Sequence, residues 1–378
     1  MHQKPVHEQV IVITGASSGV GRATAERAAR EGARVVLAAR SEDALREIVE
    51  HITAEGGVAS YVVTDVSNEE EVKRLSREAI ATYGSYDTWV NNAGVSIYGR
   101  LEEFTTADSR QLLETNFWGT VYGSLAAAEH LKTYGGTLVN VGSTLSERAI
   151  LMQGMYSASK HAVKGFTEAL RMELELDDAP VWVALIKPAA LDTPYPQHAK
   201  NYMDKEASLP APVYHPNLAA EAILHCATHK QRELFVGGAG GAGIAALGNA
   251  APRLTDKYME ANMVEAQQGD MPASSEDGLY TASGGGGVRG YNRPGVRKTS
   301  LYTQAQTRPA VAGSVAGALL AVGAGLLAWR MLNGSENKPD ANARRFDPAL
   351  PAPRGSYGPN PNYRSTPEGD TYFIENPV

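Results

Sequence analysis

Seven short apolar runs alternate with helical segments from about residue 10 to residue 237, and this alternation is the strongest constraint on the fold. The runs cover 10–14, 34–39, 60–66, 86–94, 136–143, 181–188 and 233–237, and helical periodicity covers 19–31, 42–55, 68–83, 106–132, 154–176 and 216–229. Near-continuous apolar strands are typical of parallel sheets that helices cover on both faces. The sequence therefore predicts an α/β fold with a doubly wound, Rossmann-type parallel sheet in residues 1–240.

Beyond residue 240 the alternation ends, and the chain divides into three parts by composition. Residues 241–308 are rich in Gly, Ser and Pro, which predicts an extension and linker. Residues 309–332 include an uncharged run and are predicted as a transmembrane helix. Residues 333–378 are dense in Pro, Asn and Gly, which predicts a disordered tail.

The uncharged run covers residues 310–329. As a helix it would span about 30 Å, the thickness of a bilayer's hydrocarbon core. Trp329 lies at one end, and Gly313 and Gly317 form a G-x-x-x-G pattern that favours helix packing in membranes. Its many Ala and Gly residues leave a buried helix and a weakly ordered tail as alternatives. The N-terminus lacks the apolar core of a signal peptide, so the domain at 1–240 is expected to face the cytosol.

Charge and cysteine content narrow the classes of function. A net charge of −7 over 378 residues, without a dense basic patch, argues against nucleic-acid binding. The single cysteine, Cys226, excludes an intrachain disulfide and fits a reducing compartment. His225 and His229 lie near it in HCATH, but a metal site needs further ligands, so no metal is predicted.

A glycine-rich turn, TGASSGVG at 14–21, joins the first strand to the first helix. Glycines let a backbone approach a ligand closely, and the N–H groups at a helix N-terminus attract anions. The spacing G-x-x-x-G-x-G differs from G-x-G-x-x-G and from a P-loop. Because the turn lies between a strand and a helix, it predicts a phosphate-binding site.

A second motif, YSASK at 156–160, places Tyr156 and Lys160 one helical turn apart. A free tyrosine has a pKa of about 10, and a nearby ammonium favours its phenolate form. Such a tyrosine can act as a general acid or base. Taken alone, the short pattern favours an ordinary amphipathic helix, so the rest of the chain must decide.

Together these motifs resemble the short-chain dehydrogenase/reductase superfamily over residues 8–240. The resemblance rests on TGASSGVG, Asp65 in TDVSNEE, NNAG at 91–94, Asn116 in LLETNFWG, Ser143 in NVGST and YSASK. It implies an oxidoreductase acting on CH–OH groups with NAD(P). It also implies a homodimer or homotetramer that pairs through the helices at 106–132 and 154–176.

The resemblance implies a role for each matching residue. Tyr156 would be the catalytic acid/base, and Lys160 would lower its pKa and hold the nicotinamide ribose. Ser143 would bind the reacting oxygen, and Asn116 would anchor a water for proton relay. The implied cofactor-binding residues are Gly15, Ser17, Ser18, Gly19, Val20, Gly21, Arg40, Asp65, Val66, Asn91, Ala93, Gly94, Tyr156, Lys160, Pro188 and Thr193.

One departure from the family pattern follows Pro188, where Ala189 replaces the usual glycine. Alanine is tolerated there if the backbone avoids a positive φ.

Cofactor and substrate preferences follow from two further stretches. The second strand ends in Ala39 and Arg40 rather than an acid, and an arginine there can bind a 2′-phosphate, which favours NADP(H) over NAD(H). The loop at 189–215 contributes Tyr195 and Leu209, which predicts a small apolar alcohol or carbonyl substrate. The prediction is an NADP(H)-dependent oxidoreductase interconverting a secondary alcohol and a ketone or aldehyde. The alternative is a nucleotide-sensing binding or scaffold protein on the same fold.

Overall fold

A computed structural model of the chain describes residues 3–238, 243–244, 247–248, 250–282, 286–290, 295–308, 363–365 and 371–373. The chain divides into two compact units, Met1–Ala318 and Leu319–Val378. In the second unit, two short strands, Tyr363–Ser365 and Thr371–Phe373, pair antiparallel. The sheet, the helices and the cavity belong to the first unit.

A seven-stranded parallel sheet forms the centre of the first unit. Its strands are β1 (Val10–Thr14), β2 (Arg34–Ala39), β3 (Val58–Val63), β4 (Thr88–Asn91), β5 (Gly136–Val141), β6 (Val181–Pro188) and β7 (Glu233–Val236). Their spatial order is β7-β6-β5-β4-β1-β2-β3, and every neighbouring pair is parallel. The predicted α/β class with a Rossmann-type parallel sheet is confirmed.

Helices cover both faces of this sheet. The helices of the chain include α1 (Gly19–Arg30), α2 (Glu42–Ala54), α3 (Glu69–Tyr83), α4 (Thr106–Leu113), α5 (Gly119–Tyr134), α6 (Gly154–Leu176), α7 (Asn217–Thr228), α8 (Pro252–Asn262) and α9 (Leu301–Thr307). Along β1, Ile11 and Ile13 pack with buried residues of α1, α2 and α7, whereas Val10 and Val12 pack with those of α3, α5 and α6. Because side chains alternate along a strand, burial on both faces explains the unbroken apolar run.

The predicted helix at 106–132 is divided by a π turn. Between α4 and α5, residues Glu114–Trp118 form this turn, and Asn116 within it has no exposed surface. A π turn inserts an extra residue into a helix and recurs at functional sites. Helical periodicity in the sequence does not reveal such an insertion.

The described residues of the segment 241–308 pack against the sheet domain. Strand Gln268–Pro272 pairs antiparallel with Lys205–Ala207, in the connection between β6 and α7. On α9, the Gln306 side chain donates to the Phe235 carbonyl (3.0 Å) and accepts from the Phe235 N–H (3.0 Å). The stretch predicted as a linker therefore folds back onto the domain, through strand pairing and side-chain hydrogen bonds that composition cannot indicate.

Within the described ranges, no helix has the length and apolarity needed to cross a bilayer. The predicted transmembrane segment at 309–332 lies outside the described residues, as does most of the tail at 333–378.

Candidate active site

A cavity of about 300 Å³ opens at the carboxyl ends of β1, β4 and β5. In a doubly wound sheet, ligands bind in the crevice where the strand order reverses, here between β1 and β4. Most of the predicted site residues line the cavity: Gly15, Ser17, Ser18, Gly19, Val20, Arg40, Asp65, Val66, Ala93, Gly94, Ser143, Tyr156, Lys160, Pro188 and Thr193. Gly21, Asn91 and Asn116 do not line it, and their contacts show why.

The glycine turn after β1 is shaped by close packing. Gly15 has a φ of +65°, a conformation that favours glycine. A Cβ atom at Gly21 would lie 2.1 Å from the Gly15 carbonyl oxygen, so Gly21 lets α1 pack against the turn and does not face the cavity. The Asn92 side chain donates to the carbonyls of Thr14 (3.0 Å) and Gly15 (3.2 Å), a supporting role that the sequence analysis missed.

Asn91 points away from the cavity into a buried polar network. Its Nδ2 donates to Ser124 Oγ (3.0 Å) and Asn140 Oδ1 (2.9 Å), and its Oδ1 accepts from Trp89 Nε1 (2.8 Å). These bonds connect β4 to β5 and α5. The sequence analysis counted Asn91 among the cofactor-binding residues; its side chain supports the wall from behind, since side chains alternate along β4.

Asn116 also lies behind the cavity wall. Its Nδ2 donates to the Val95 carbonyl (2.9 Å) and to Ser159 Oγ (3.0 Å), and its Oδ1 accepts from the Val95 N–H (2.8 Å). A Cβ atom at Gly94 would lie 3.4 Å from Asn116 Oδ1 and 3.6 Å from Lys160 Nζ. The Asn116 amide therefore fixes the chain after β4, and Lys160 beside it reaches the cavity.

Tyr156, Lys160 and Ser143 meet on one wall of the cavity. Helix α6 carries the first two, and Lys160 Nζ lies 5.7 Å from the centre of the Tyr156 ring. Ser143 follows β5, and its Oγ accepts the N–H of Leu145 (3.0 Å). A phenol, an ammonium and a hydroxyl on one wall are suited to proton transfer to an oxygen atom of a ligand.

Burial has the largest effect on the pKa values of Tyr156 and Lys160. Burial raises the pKa of Tyr156 to about 12, and the Ser143 hydroxyl partly opposes the rise. Burial lowers the pKa of Lys160 to about 8. Lys160 Nζ donates to the Val141 carbonyl (2.9 Å), and burial leaves a phenolate at Tyr156 poorly solvated.

Arg40 lies at another part of the cavity, after β2. Its guanidinium donates to the carbonyls of Gly278 and Leu279, and the Gly278 N–H donates to the His198 carbonyl (2.8 Å). Gly278 and His198 line the cavity with Arg40. A guanidinium has five N–H donors, so Arg40 retains donors for an anion while holding the extension.

The extension also reaches the N-terminus of α1. The Gly19 N–H, at the first position of α1, donates to the Gly287 carbonyl (3.2 Å). Nearby, Arg289 pairs with Asp192 at 2.7 Å. Residues beyond 240 thus cover the side of the cavity that the glycine turn forms.

The opposite side of the cavity is largely apolar. Its lining includes Leu145 and Ile150, together with Leu209 and Tyr195, which the sequence analysis placed near a substrate. Gln153 also lines it, and it was missed although it lies three residues before Tyr156 at the start of α6. Within the described parts of the chain, no group of three or more His, Cys, Asp or Glu side chains could hold a metal ion.

Ala189 stands where the family usually has glycine, and its backbone avoids a positive φ, the condition for tolerating alanine there. Among the described residues, positive φ values at non-glycine positions occur at Met152 and Asp178, and Ala189 is not one of them. Its N–H donates to the Val236 carbonyl (2.8 Å), which joins the end of β6 to β7.

Comparison with known sequences gives one family match and several relatives. A sequence model of the short chain dehydrogenase family matches residues 9–203. An uncharacterized oxidoreductase of Bacillus subtilis, YxnA, is 45% identical over 331 residues, covering 86% of this chain and 91% of that protein. A 3beta-hydroxysteroid dehydrogenase of Mediterraneibacter gnavus is 36% identical over 188 residues, covering 50% of this chain and 67% of that protein.

Solved structures resemble the sheet domain. An alcohol dehydrogenase of Thermococcus sibiricus, complexed with 5-hydroxy-NADP, is 29% identical with a TM-score of 0.54, covering 60% of this chain and 95% of that one. A short chain dehydrogenase/reductase of Burkholderia phymatum, in complex with NAD, is 27% identical with a TM-score of 0.59, covering 65% of this chain and 94% of that one. Both were solved with a nicotinamide dinucleotide or a derivative of one.

Proposed function

Because the chain belongs to the short-chain dehydrogenase family, and is thus an oxidoreductase of CH–OH groups, we propose that it interconverts a small apolar secondary alcohol and its carbonyl form with NADP(H). The observation that carries this proposal is the cavity itself. It joins Tyr156, Lys160 and Ser143 to the glycine turn at the N-terminus of α1. Proton transfer and dinucleotide binding can therefore occur in one cavity.

The residues present fit a nicotinamide dinucleotide. Gly15 and Gly19 both have positive φ and bring the backbone and helix N-terminus to the cavity, where a diphosphate would replace the Gly287 carbonyl as the partner of the Gly19 N–H. Tyr156 and Lys160 would lie at the nicotinamide end. Arg40 follows Ala39, which leaves no carboxylate at the end of β2 to hold a ribose 2′-hydroxyl. This arrangement supports NADP(H), whose 2′-phosphate suits a guanidinium.

Residues of the chain itself would donate and accept the proton in the reaction. In reduction, hydride joins the carbonyl carbon while the Tyr156 proton joins the oxygen, and oxidation reverses both transfers. A bound nicotinamide would supply or accept the hydride. Ser143 Oγ accepts the Leu145 N–H, which leaves its hydroxyl proton to be donated to the reacting oxygen. The Lys160 ammonium would stabilise the Tyr156 phenolate as it forms.

The test is oxidation of NADPH, followed by absorbance, with the full chain and a panel of hydrophobic ketones and aldehydes. Turnover that requires both the protein and a carbonyl compound would support the proposal. Dinucleotide binding without turnover on any panel member would favour the alternative, a nucleotide-sensing protein on the same fold.

A homodimer or homotetramer remains our proposal for assembly. Apolar side chains are exposed on the predicted pairing helices, among them Leu125 on α5 and Met172 on α6. Leu125→Glu is expected to lower the mass measured by light scattering, because a buried charge would disrupt the pairing. Leu254→Glu, at an exposed leucine on α8, is the matched control and should keep the native mass. A monomeric parent protein would contradict the proposal.

We also propose that residues 310–329 anchor the protein to a membrane, on the sequence grounds of length and lack of charge. The full chain is expected to sediment with membranes and to resist carbonate extraction. A variant ending at Arg308, which keeps α9, should stay in the supernatant with unchanged activity. A full chain that remains in the high-speed supernatant without detergent would refute the anchor.

A further inference from the structure

Gln267, in the extension after β7, lies fully buried behind the substrate side of the cavity. It ends the short 3-10 helix Glu265–Gln267 and precedes the strand Gln268–Pro272, which pairs with Lys205–Ala207. Its carbonyl accepts the Ser208 N–H (2.9 Å). The backbone of this residue is therefore held firmly against the loop that carries part of the cavity wall.

The hydrogen bonds of Gln267 fix which way its amide faces. Its Nε2 donates to the carbonyls of Leu151 (2.9 Å) and Met263 (2.7 Å). Carbonyl oxygens only accept, so the nitrogen must face them, and both of its N–H groups are used. The remaining Gln267 Oε1 must then accept, and it accepts from Gln153 Nε2 (2.6 Å).

The orientation of the Gln267 amide in turn fixes the donors and acceptors of Gln153 and Tyr195. Because Gln153 Nε2 faces Gln267, its Oε1 faces Tyr195, whose hydroxyl lies at 2.9 Å. An amide oxygen carries no proton, so Tyr195 must donate. Burial holds the pKa of Tyr195 well above its ordinary value, and its hydroxyl keeps this proton.

Tyr195 is in turn the neighbour of Tyr156. The two ring centres are 5.4 Å apart, with an edge-to-face angle of 64°, and both rings line the cavity. Gln153 is also only three residues before Tyr156, and its carbonyl accepts the Ser157 N–H (2.9 Å) at the start of α6. The hydrogen-bonded series Gln267–Gln153–Tyr195 therefore reaches Tyr156 in two ways. Tyr195 contacts the Tyr156 ring, and Gln153 lies at the start of α6, which carries Tyr156.

We infer that Gln267, through Gln153 and Tyr195, positions the ring of Tyr156 and the adjoining cavity wall for the reaction. The inference rests on the proposed function, and it assigns the extension a part in that site. Gln267 is a positioning residue, because its side chain is bonded within the protein and does not line the cavity. Since about 1 Å of misplacement can cost about a hundredfold in rate, a hydrogen-bonded tether at this point has a large effect.

Gln267→Leu in the full chain is expected to lower kcat about tenfold to a hundredfold, with little change in KM or in NADPH affinity. Gln306→Leu is the matched control, since it also removes an amide, here half-buried, that ties the extension to the sheet, but at β7 rather than beside Tyr156. It should leave kcat unchanged. Gln267→Glu keeps the shape of the side chain but loses its N–H donors, so it should also lower kcat. This variant replaces Gln267→Leu in the test if the leucine variant does not fold.

A double-mutant cycle separates positioning from a general loss of packing. Tyr195→Phe removes the end of the hydrogen-bonded series, so adding Gln267→Leu to it should cost less than about twofold more in kcat. If the fold losses in kcat of the two single variants multiplied in the double variant, Gln267 would act independently of Tyr195, and the inference would be overturned. A kcat unchanged in both Gln267 variants would overturn it as well.

Hydrogen–deuterium exchange supplies a readout that needs no substrate. Gln267→Leu should speed exchange in the segment 190–200, which carries Tyr195, whereas Gln306→Leu should not. Equal exchange in the two variants would contradict the tether. If the parent protein turned over no substrate, the proposed function would fail, and exchange would still decide whether Gln267 holds Tyr195.

Discussion

Replacing Tyr156 with phenylalanine is expected to lower kcat by about a hundredfold to ten-thousandfold, the contribution typical of a positioned proton donor. The change removes one oxygen atom and leaves the ring that packs against Tyr195. NADPH affinity should therefore stay close to that of the parent protein. Single-turnover reduction of a ketone and a separate fluorescence titration of NADPH measure the two quantities.

Tyr98→Phe is the control for this substitution. The Tyr98 hydroxyl is buried and has no hydrogen-bond partner in the described part of the chain, and Tyr98 does not line the cavity. Losing it should leave kcat unchanged, so the comparison isolates the chemistry of Tyr156 from the loss of a buried phenol. A Tyr156→Phe enzyme that kept more than about a tenth of the parent rate, a change under about 1.4 kcal/mol, would refute the assigned role.

Arg40→Ala is expected to weaken NADPH binding about tenfold to a hundredfold relative to NADH. The loss corresponds to about 1.5–3 kcal/mol, the usual value of a hydrogen bond to a charged group. Measuring NADH binding also distinguishes two causes of a weaker NADPH affinity. Arg40 also holds the carbonyls of Gly278 and Leu279, and loosening the extension would affect both cofactors, whereas a lost 2′-phosphate contact affects NADPH alone.

Arg46→Ala provides the comparison for Arg40. Arg46 lies on α2, pairs with Asp43 at 3.1 Å and does not line the cavity. Its loss should leave the ratio of the two dissociation constants unchanged. An unchanged ratio in the Arg40 variant as well would rule out the 2′-phosphate contact and leave the choice of cofactor to other residues.

Local patterns in the sequence predicted the sheet well, because its central strands are buried on both faces. The bounds of β1, β2 and β6 match the predicted runs, since an unbroken apolar run ends where burial ends. The π turn at Glu114–Trp118 could not be predicted, because one inserted residue leaves helical periodicity almost intact.

The site could be predicted only where its residues belong to short motifs. Tyr156 and Lys160 share a helix face, and the glycine turn has its own spacing, so both are visible locally. Gln267 and Gly278 reach the cavity region through pairing between segments far apart in the chain. Their Gly- and Ser-rich surroundings predict a linker, and no local pattern indicates these contacts.

The return of the extension to the cavity has a consequence for how the protein matures during synthesis. Domains form from the N-terminus as the chain leaves the ribosome. The last strand of the sheet ends at Val236, so the sheet can assemble while Gly278 and Ala282, which line the cavity, are still to be made. The cavity is completed only when those residues dock, and a chain released early would have a finished sheet around an unfinished catalytic pocket.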